Sequence, residues 1–192
     1  MCSRYEIDVP WEDIVTHFGF DGPPDECASG EIRPTNRALV VESNEKYRSA
    51  HWGIPAPWDG KPLINARSET LLHKQTFKPL LGNRCVVPAS AYFEWRKDGK
   101  KRLKNRIFLK DEPIMGFAGL MSDNYFTIIT CKSSASIAHI HDRMPVILPE
   151  SSEEHWCDNT RPFIEVSHLL KPVDPGILLA TEATQQQPDL FA

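Results

Sequence analysis

Apolar residues recur along the chain with two spacings, of which one predicts a helix and the other predicts β-strands. Residues 10–18 carry apolar side chains at the spacing of one helix face, and Gly19 follows them as a typical helix end. The apolar residues of this predicted helix are Trp11, Ile14, Val15 and Phe18. Runs rich in β-branched and aromatic residues predict strands at 37–42, 48–54, 84–95, 102–109, 114–121, 125–131 and 144–148.

The remaining pattern predicts a hairpin and three further helices. Asp98-Gly99 is expected at the hairpin turn between two strands. Short helices are expected at 133–140, 151–157 and 162–170. Strands outnumber helices, which favours an α+β fold, mainly antiparallel β-sheets forming a barrel-like core flanked by short helices. We expect a single domain at 1–180, a flexible C-terminal tail at 181–192, and a monomer.

Composition excludes several classes of protein. A length of 192 residues suits one domain. No apolar run approaches the roughly 20 residues that span a bilayer, and the N-terminus has no signal-peptide pattern, so a cytoplasmic protein without membrane contact is expected. The five cysteines are an odd set with no CxxC pair, which argues against a disulfide framework or a zinc site. We expect neither a bound metal nor a cofactor.

Charge is segregated along the chain, although the net charge is only −4. Residues 60–110 contain thirteen Lys and Arg against three acids, whereas residues 147–192 contain eight acids against two basic residues. A cationic segment of this kind suits a groove that follows nucleic-acid phosphates. The alternative is a solvated hairpin loop around residues 96–106.

Four residues are candidates for chemistry. If Met1 is removed, Cys2 carries an α-amine and a thiol on one residue, a reagent that converts aldehydes first to imines and then to thiazolidines. Asn65 and Arg67 lie on one strand face and can hold a sugar oxygen and a phosphate, or Asn65 simply caps a helix near residue 68. Glu94 is a carboxylate in an apolar strand, so it is either partly desolvated with a raised pKa or a structural partner of an arginine.

His141 is the fourth candidate. It stands between a predicted helix and strand, where it can act as an acid or a base near neutral pH, with Asp142 or a backbone carbonyl fixing its tautomer. His139 competes for that role, and either histidine can be purely structural.

Eight segments resemble, in order, the motifs of the SOS response-associated peptidase (SRAP) family of abasic-site processing proteins. They are MCSRYE (1–6), IRPTN (32–36), HWGIPAPW (51–58), INARSET (64–70), RCVVPASAYFEW (84–95), GFAGL (116–120), TIITC (127–131) and IHDRMPVIL (140–148). The resemblance covers most of the chain. One departure is Ser3, because the family usually has glycine after the cysteine, and a side chain there can narrow the pocket.

The resemblance implies that the protein senses ring-opened abasic sites in single-stranded DNA and forms a thiazolidine DNA–protein crosslink. In that case Cys2 is the nucleophile, Asn65 holds the N-terminal residue or the opened sugar, Glu94 moves protons, and His141 assists ring opening and reversal. Weak lyase activity and self-removal of Met1 are also implied. The residues implied to bind DNA are Arg4, Asn36, Trp52, Arg67 and Arg143.

Two other classes of function remain as alternatives. Cys2 and His141 can serve a thiol peptidase with Glu94 as orienting carboxylate, or the chain can be a noncovalent single-stranded DNA-binding module.

The C-terminal sequence QPDLF resembles the peptide by which bacterial proteins dock on the replicative sliding clamp. Leu190 and Phe191 would fill an apolar pocket, while Gln187 and Asp189 make polar contacts. A bacterial or phage protein associated with the nucleoid is the corresponding expectation.

Overall fold

The structure, a computed structural model, describes residues 2–22, 27–43 and 46–183. Its α-helices are α1 (Trp11–Phe18), α2 (Glu150–Cys157) and α3 (Phe163–Val166), and α3 continues into a 3₁₀ turn over Ser167–Leu169. Helix α1 ends at Gly19, whose φ of 71° is the left-handed conformation that favours glycine at a helix end. The predicted helices at 10–18 and 151–157 are therefore confirmed, and the one at 162–170 is only partly α-helical. None of the helices in the described ranges is long and apolar enough to span a membrane.

Short strands make up most of the fold. They are β1 (Tyr5–Ile7), β2 (Gly30–Ile32), β3 (Arg37–Ser43), β4 (Lys46–Trp52), β5 (Ile54–Pro55), β6 (Pro62–Leu63), β7 (Asn65–Arg67), β8 (Arg84–Ala89), β9 (Ala91–Asp98), β10 (Lys101–Leu109), β11 (Met115–Ser122), β12 (Tyr125–Lys132), β13 (Arg143–Pro145), β14 (Ile147–Leu148) and β15 (Leu178–Glu182). All seven predicted strand segments are confirmed as strands, the segment 84–95 being divided at Ser90.

The strands form two main sheets. The larger has the order β13-β12-β4-β3-β8-β11-β14, and an additional pairing of β12 with β11 closes five of these strands into a ring. The smaller has the order β15-β10-β9-β1-β2. Most pairs are antiparallel, but β4 and β7 both run parallel to β12. The predicted fold class, α+β with a mainly antiparallel, barrel-like core, is confirmed.

An aromatic cluster joins the two sheets. The ring of Tyr5 on β1 lies edge to face with Trp52 at 5.1 Å and with Phe117 at 6.0 Å, measured between centroids. Tyr92, directly opposite Tyr5 on β9, contacts the same Phe117. Such edge-to-face pairs stabilise a core beyond the area they bury. The N-terminal strand is therefore anchored between the sheets, which fixes the residues that precede it.

Two local predictions differ from the structure. Residues 133–140 form turns, because Ser133 N–H donates to the carbonyl of Asp142 and closes a loop, although Ile137 and Ile140 are buried at helical spacing. The hairpin turn is Gly99-Lys100, since Asp98 still pairs with Lys101. Gly99 has a φ of 58°, which the first central position of a type II′ turn requires.

Strand β15 carries the ordered chain beyond the expected domain boundary at 180. Thr181 pairs with Arg106 and Glu182 with Asn105 on β10. The fold therefore includes the first two residues of the segment that sequence assigns to the tail.

Candidate active site

Cys2 lies at the edge of the smaller sheet, three residues before β1 begins. The N–H of Phe93 donates to the carbonyl of Arg4 at 2.9 Å, and Tyr5 pairs with Tyr92. Continuing this antiparallel register places Ser3 level with Glu94 and Cys2 level with the next residue of β9. Cys2 is fully buried. The N-terminal residue and the predicted proton-transfer carboxylate are thus brought together by strand pairing.

Asn65 fixes the backbone of Cys2. Its side-chain Nδ2 donates to the Cys2 carbonyl at 2.7 Å, while its Oδ1 is buried without a hydrogen-bond partner among the described residues. A buried amide oxygen left unpaired costs about 1–3 kcal/mol, so this atom is suited to receive a donor from a ligand. The capping alternative is wrong, because the turn at Ser68–Thr70 has no side-chain cap.

Glu94 lies on β9 and is only 3% exposed. Burial disfavours the ionised carboxylate and raises the pKa of Glu94 above its ordinary value of 4.5. Its Oε2 lies 3.8 Å from Nε2 of His141. A carboxyl group with a raised pKa beside an imidazole is an arrangement suited to proton transfer.

His141 is oriented by its own loop. Its Nδ1 accepts the backbone N–H of Arg143 at 3.0 Å and also lies 3.0 Å from Oδ1 of Asp142, while Nε2 is the nitrogen nearer Glu94. Ser133 Oγ donates to the His141 carbonyl at 2.5 Å and holds the loop in place. The competing candidate His139 is exposed. Asp142 and the main chain of Arg143 therefore both contact Nδ1, and the main-chain group is an N–H donor rather than the predicted carbonyl.

The thiol of Cys2 is not a ready thiolate. Its Sγ lies 3.6 Å from the Arg4 carbonyl as a donor, and burial, followed by the nearby charge of Glu94, raises the pKa of the thiol well above its usual range. Thiol peptidases need a thiolate with a lowered pKa. At this site a base must therefore remove the thiol proton as the sulfur attacks.

Three of the predicted DNA-binding residues reach the surface. Arg67 is exposed at the end of β7, two residues from Asn65, with buried Ala66 between them as strand alternation requires. Asn36 is exposed in a turn, where its Oδ1 accepts the N–H of Arg33. Arg4 is partly exposed and forms an ion pair with Glu31 at 2.6 Å.

Trp52 does not occupy a position that can stack a base. It is fully buried, and its indole N–H donates to the carbonyl of Ile64 at 2.9 Å. The prediction for Trp52 is therefore corrected to a core role. Its neighbours are the rings of Tyr5 and Phe126, and the hydrogen bond to Ile64 supports the residue immediately before Asn65.

Arg143 is already engaged by protein oxygens. Its guanidinium makes two hydrogen bonds to Glu69, at 2.8 and 3.0 Å, and also donates to the carbonyl of Thr130. The Arg143 side chain is 11% exposed, against 43% for Glu69. Contact with a DNA phosphate, as predicted for Arg143, therefore requires competition with this carboxylate.

Sequence reasoning assigned no role to Trp58. Trp58 is 67% exposed in the loop between β5 and β6, the hairpin that precedes Asn65 in the chain. Trp95, which the apolar run around Glu94 predicts as a core residue, is partly exposed. The prolines and the Asp59-Gly60 pair around Trp58 were the available signal, because such residues predict a loop and leave an aromatic side chain without a core to join.

No group of three or more His, Cys, Asp and Glu side chains in the described ranges is placed to hold a metal ion. The predicted clamp-binding residues Gln187, Asp189, Leu190 and Phe191 lie outside the described residues, as does Met1. Ser3, which replaces the family's glycine, is not among the described non-glycine residues with positive φ, so its side chain is accommodated without left-handed backbone.

Comparisons with known proteins identify the family of this chain. Residues 1–186 match the family described as SOS response associated peptidase (SRAP). Abasic site processing protein YoqW of Bacillus subtilis (strain 168) is 35% identical over 198 residues, covering 91% of this chain and 88% of that protein. Abasic site processing protein YedK of Escherichia coli (strain K12) is 29% identical over 177 residues, covering 81% of this chain and 79% of that protein.

Solved structures support the same fold. A protein from Bacteroides thetaiotaomicron superposes with a TM-score of 0.83 at 24% identity, covering 96% of this chain and 93% of that one. Since the family match spans nearly the whole chain and a 35% identical relative covers most of it, this protein belongs to the SRAP family.

Proposed function

We propose that the protein processes abasic sites in single-stranded DNA and forms a covalent thiazolidine with them through Cys2. The observation that carries the proposal is the N-terminal Cys2, held at its carbonyl by Asn65 beside a buried Glu94 that faces His141. The relatives are named abasic site processing proteins, which supports the same substrate. Removal of Met1 is required, because an acylated nitrogen cannot form an imine.

The reaction balances with one water released. The Glu94 carboxylate first takes a proton from the α-ammonium group of Cys2, and the free amine adds to the C1′ aldehyde of the ring-opened sugar. Glu94 then gives that proton to the carbinolamine hydroxyl, which leaves as water, and the nitrogen keeps one hydrogen in the resulting iminium. The sulfur attacks C1′ while the Glu94 carboxylate accepts the thiol proton, since burial keeps that thiol protonated, and a five-membered thiazolidine closes.

His141 serves ring opening and reversal. Its Nε2, which lies on the Glu94 side of the ring, gives a proton to the sugar oxygen as the sugar ring opens and takes a proton back when the adduct reverses. The imine can alternatively lose the 3′-phosphate by β-elimination, which gives weak lyase activity. Hydrolysis of the Met1–Cys2 bond by the same groups would constitute peptidase-like self-processing.

The surface around the site suits a single strand. Arg67 and Arg4 supply charge for phosphates, and Asn36 lies on an exposed turn. Trp58 takes the stacking role first given to Trp52, because it is exposed on the hairpin that leads into Asn65. One domain with one site suffices, so we propose that the protein acts as a monomer on nucleoid DNA.

A denaturing gel tests the proposal. The protein is mixed with an oligonucleotide whose uracil has been removed by uracil glycosylase. A heat-stable shifted band is expected, and methoxyamine treatment of the lesion should prevent it. A shift only on a native gel would instead support a noncovalent DNA-binding module, and cleavage of peptide substrates without a shift would support a thiol peptidase.

Replacing Glu69 with Gln is expected to tighten binding to lesion DNA about two- to fivefold. The substitution removes a carboxylate that both occupies the Arg143 guanidinium and repels phosphates, and Arg143 also holds the pKa of Glu69 below its usual value. Fluorescence anisotropy with a tetrahydrofuran lesion, which cannot crosslink, measures this affinity. Glu12→Gln, an exposed change on α1, is the matched control. Equal affinities of Glu69→Gln and the native protein would contradict the competition.

The tail is proposed to dock on the replicative sliding clamp. The basis is the sequence QPDLF at 187–191 alone. Deleting residues 185–192 should abolish clamp binding in calorimetry while crosslinking continues, because the described domain ends before the deletion. Unchanged clamp affinity after the deletion would contradict the proposed docking of the tail.

A further inference from the structure

The hairpin of β9 and β10 projects past the N-terminal residue. Strand β1 pairs with β9 only up to Tyr92, with one further bond between Arg4 and Phe93. Beyond Glu94 the hairpin continues through four more residues of β9 to the turn at Gly99. The turn therefore lies beyond the part of β9 that pairs with β1.

The end of this hairpin is strongly basic and exposed. Lys97 and Arg102 pair directly across the two strands, so their side chains share a face of the sheet. Lys100 and Lys101 follow at the turn, and all four residues are exposed. We call these four residues the hairpin-tip cations.

Other cations of the hairpin form ion pairs with acidic residues, and at the tip Asp98 lies directly opposite Lys101 in the strand pairing. Lys104 pairs with Glu31, and Arg96 lies 3.6 Å from Glu182. Within the described ranges, no ion pair involves Lys97, Lys100, Lys101 or Arg102. Like charges placed directly opposite one another destabilise a sheet. The Lys97–Arg102 pair is therefore a place where an anionic ligand would relieve repulsion.

We propose that the hairpin-tip cations bind the phosphates of nucleotides flanking the abasic site on one side. The inference rests on the proposed function, because it assigns a second contact to the same DNA strand. Strand rise of about 3.3 Å per residue puts Lys97 about 10 Å along β9 from Glu94, and strand alternation puts Lys97 and Arg102 on the opposite face of the hairpin from Glu94. The hairpin-tip cations are thus separated from the lesion pocket, and they recognise the charge of the phosphates rather than the base sequence.

The experiment compares oligonucleotides with different flanks. Binding of the double variant Lys97→Gln, Arg102→Gln to tetrahydrofuran-lesion DNA is measured by anisotropy at several salt concentrations. Flanks of one, three and six nucleotides are tested on the 5′ and 3′ sides separately. Lys110→Gln, Lys171→Gln is the matched control, because both residues are exposed and lie away from the hairpin tip.

The expected result is specific to one flank. With a long flank on that side, the double variant should bind about tenfold more weakly near 0.1 M salt, and the slope of log K against log salt should fall by about 1.4, the value for two phosphate contacts on a single strand. With that flank shortened to one nucleotide, the variant and the native protein should bind alike. The opposite flank should make no difference.

Two outcomes would overturn the inference. One is equal affinity of the native protein and the hairpin variant on every substrate, and the other is an equal loss in the control variant, which would indicate general electrostatic attraction. The test uses noncovalent affinity, so it decides the hairpin's role even if the native protein fails the denaturing-gel assay of the proposed function.

Discussion

Replacing Cys2 with Ala is expected to abolish the heat-stable crosslink while noncovalent binding to lesion DNA stays close to that of the native protein. Alanine keeps an α-amine that can condense with the C1′ aldehyde, but it has no sulfur to close the thiazolidine. The product stops at an imine, which hydrolyses during denaturation. A denaturing gel should therefore show no shifted band, and borohydride reduction before denaturation should restore one.

The other cysteines supply the control for this experiment. Cys27→Ala changes a partly buried thiol that has no part in the proposed chemistry and should crosslink at the native rate. Intact mass of each protein reports whether Met1 has been removed. A heat-stable band formed by Cys2→Ala without reduction would contradict the thiazolidine mechanism and point to another nucleophile.

The central residues of the site could be predicted from sequence because their side chains are unusual for the segments in which they stand. A carboxylate in the apolar run around Glu94 predicted desolvation, and the structure buries it at 3% exposure. Alternation along β7 predicted that Asn65 and Arg67 share a face, with Ala66 buried between them. These signals depend on near neighbours in the chain, which a sequence displays directly.

Long-range pairing was not accessible in the same way. Trp52 and Trp58 stand six residues apart in one motif, and only the ring packing on Tyr5 identifies Trp52 as the buried one. The clamp of Glu69 on Arg143 joins residues 74 positions apart. Ile137 and Ile140 imitate a helix spacing, yet the loop that returns to His141 requires turns. In each case a tertiary contact overrides the local pattern.

Replacing Glu94 with Gln is expected to slow crosslink formation about 10²- to 10⁴-fold, the usual contribution of a positioned proton-transfer group. Glutamine keeps the size of the side chain but neither protonates the departing hydroxyl nor accepts the thiol proton. Single-turnover rates from quenched gels, measured between about pH 4 and 9, report the loss. Asp98→Asn, an exposed change farther along the same strand, is the matched control and should leave the rate unchanged.

The pH dependence separates a chemical role from a structural one. Because burial raises the pKa of Glu94 above 4.5, its carboxylate form is lost as pH falls through that raised value, and the native rate should decline there. This decline in rate at low pH should be absent in Glu94→Gln. The rate of that variant should instead follow the titration of the α-amine, which has an ordinary pKa of about 7.7–8.0.

The Glu94→Gln substitution should preserve or raise the thermal stability of the fold although it slows the reaction. A carboxyl group whose pKa is higher in the folded than in the unfolded state destabilises the fold once pH exceeds the unfolded value near 4.5. Glu94→Gln removes that penalty, so its melting temperature at pH 7 should equal or exceed the native one while its rate collapses. Two results would exclude Glu94 from proton transfer and point to His141 instead. One is a crosslinking rate in Glu94→Gln equal to the native rate, and the other is a decline at low pH that remains in this variant.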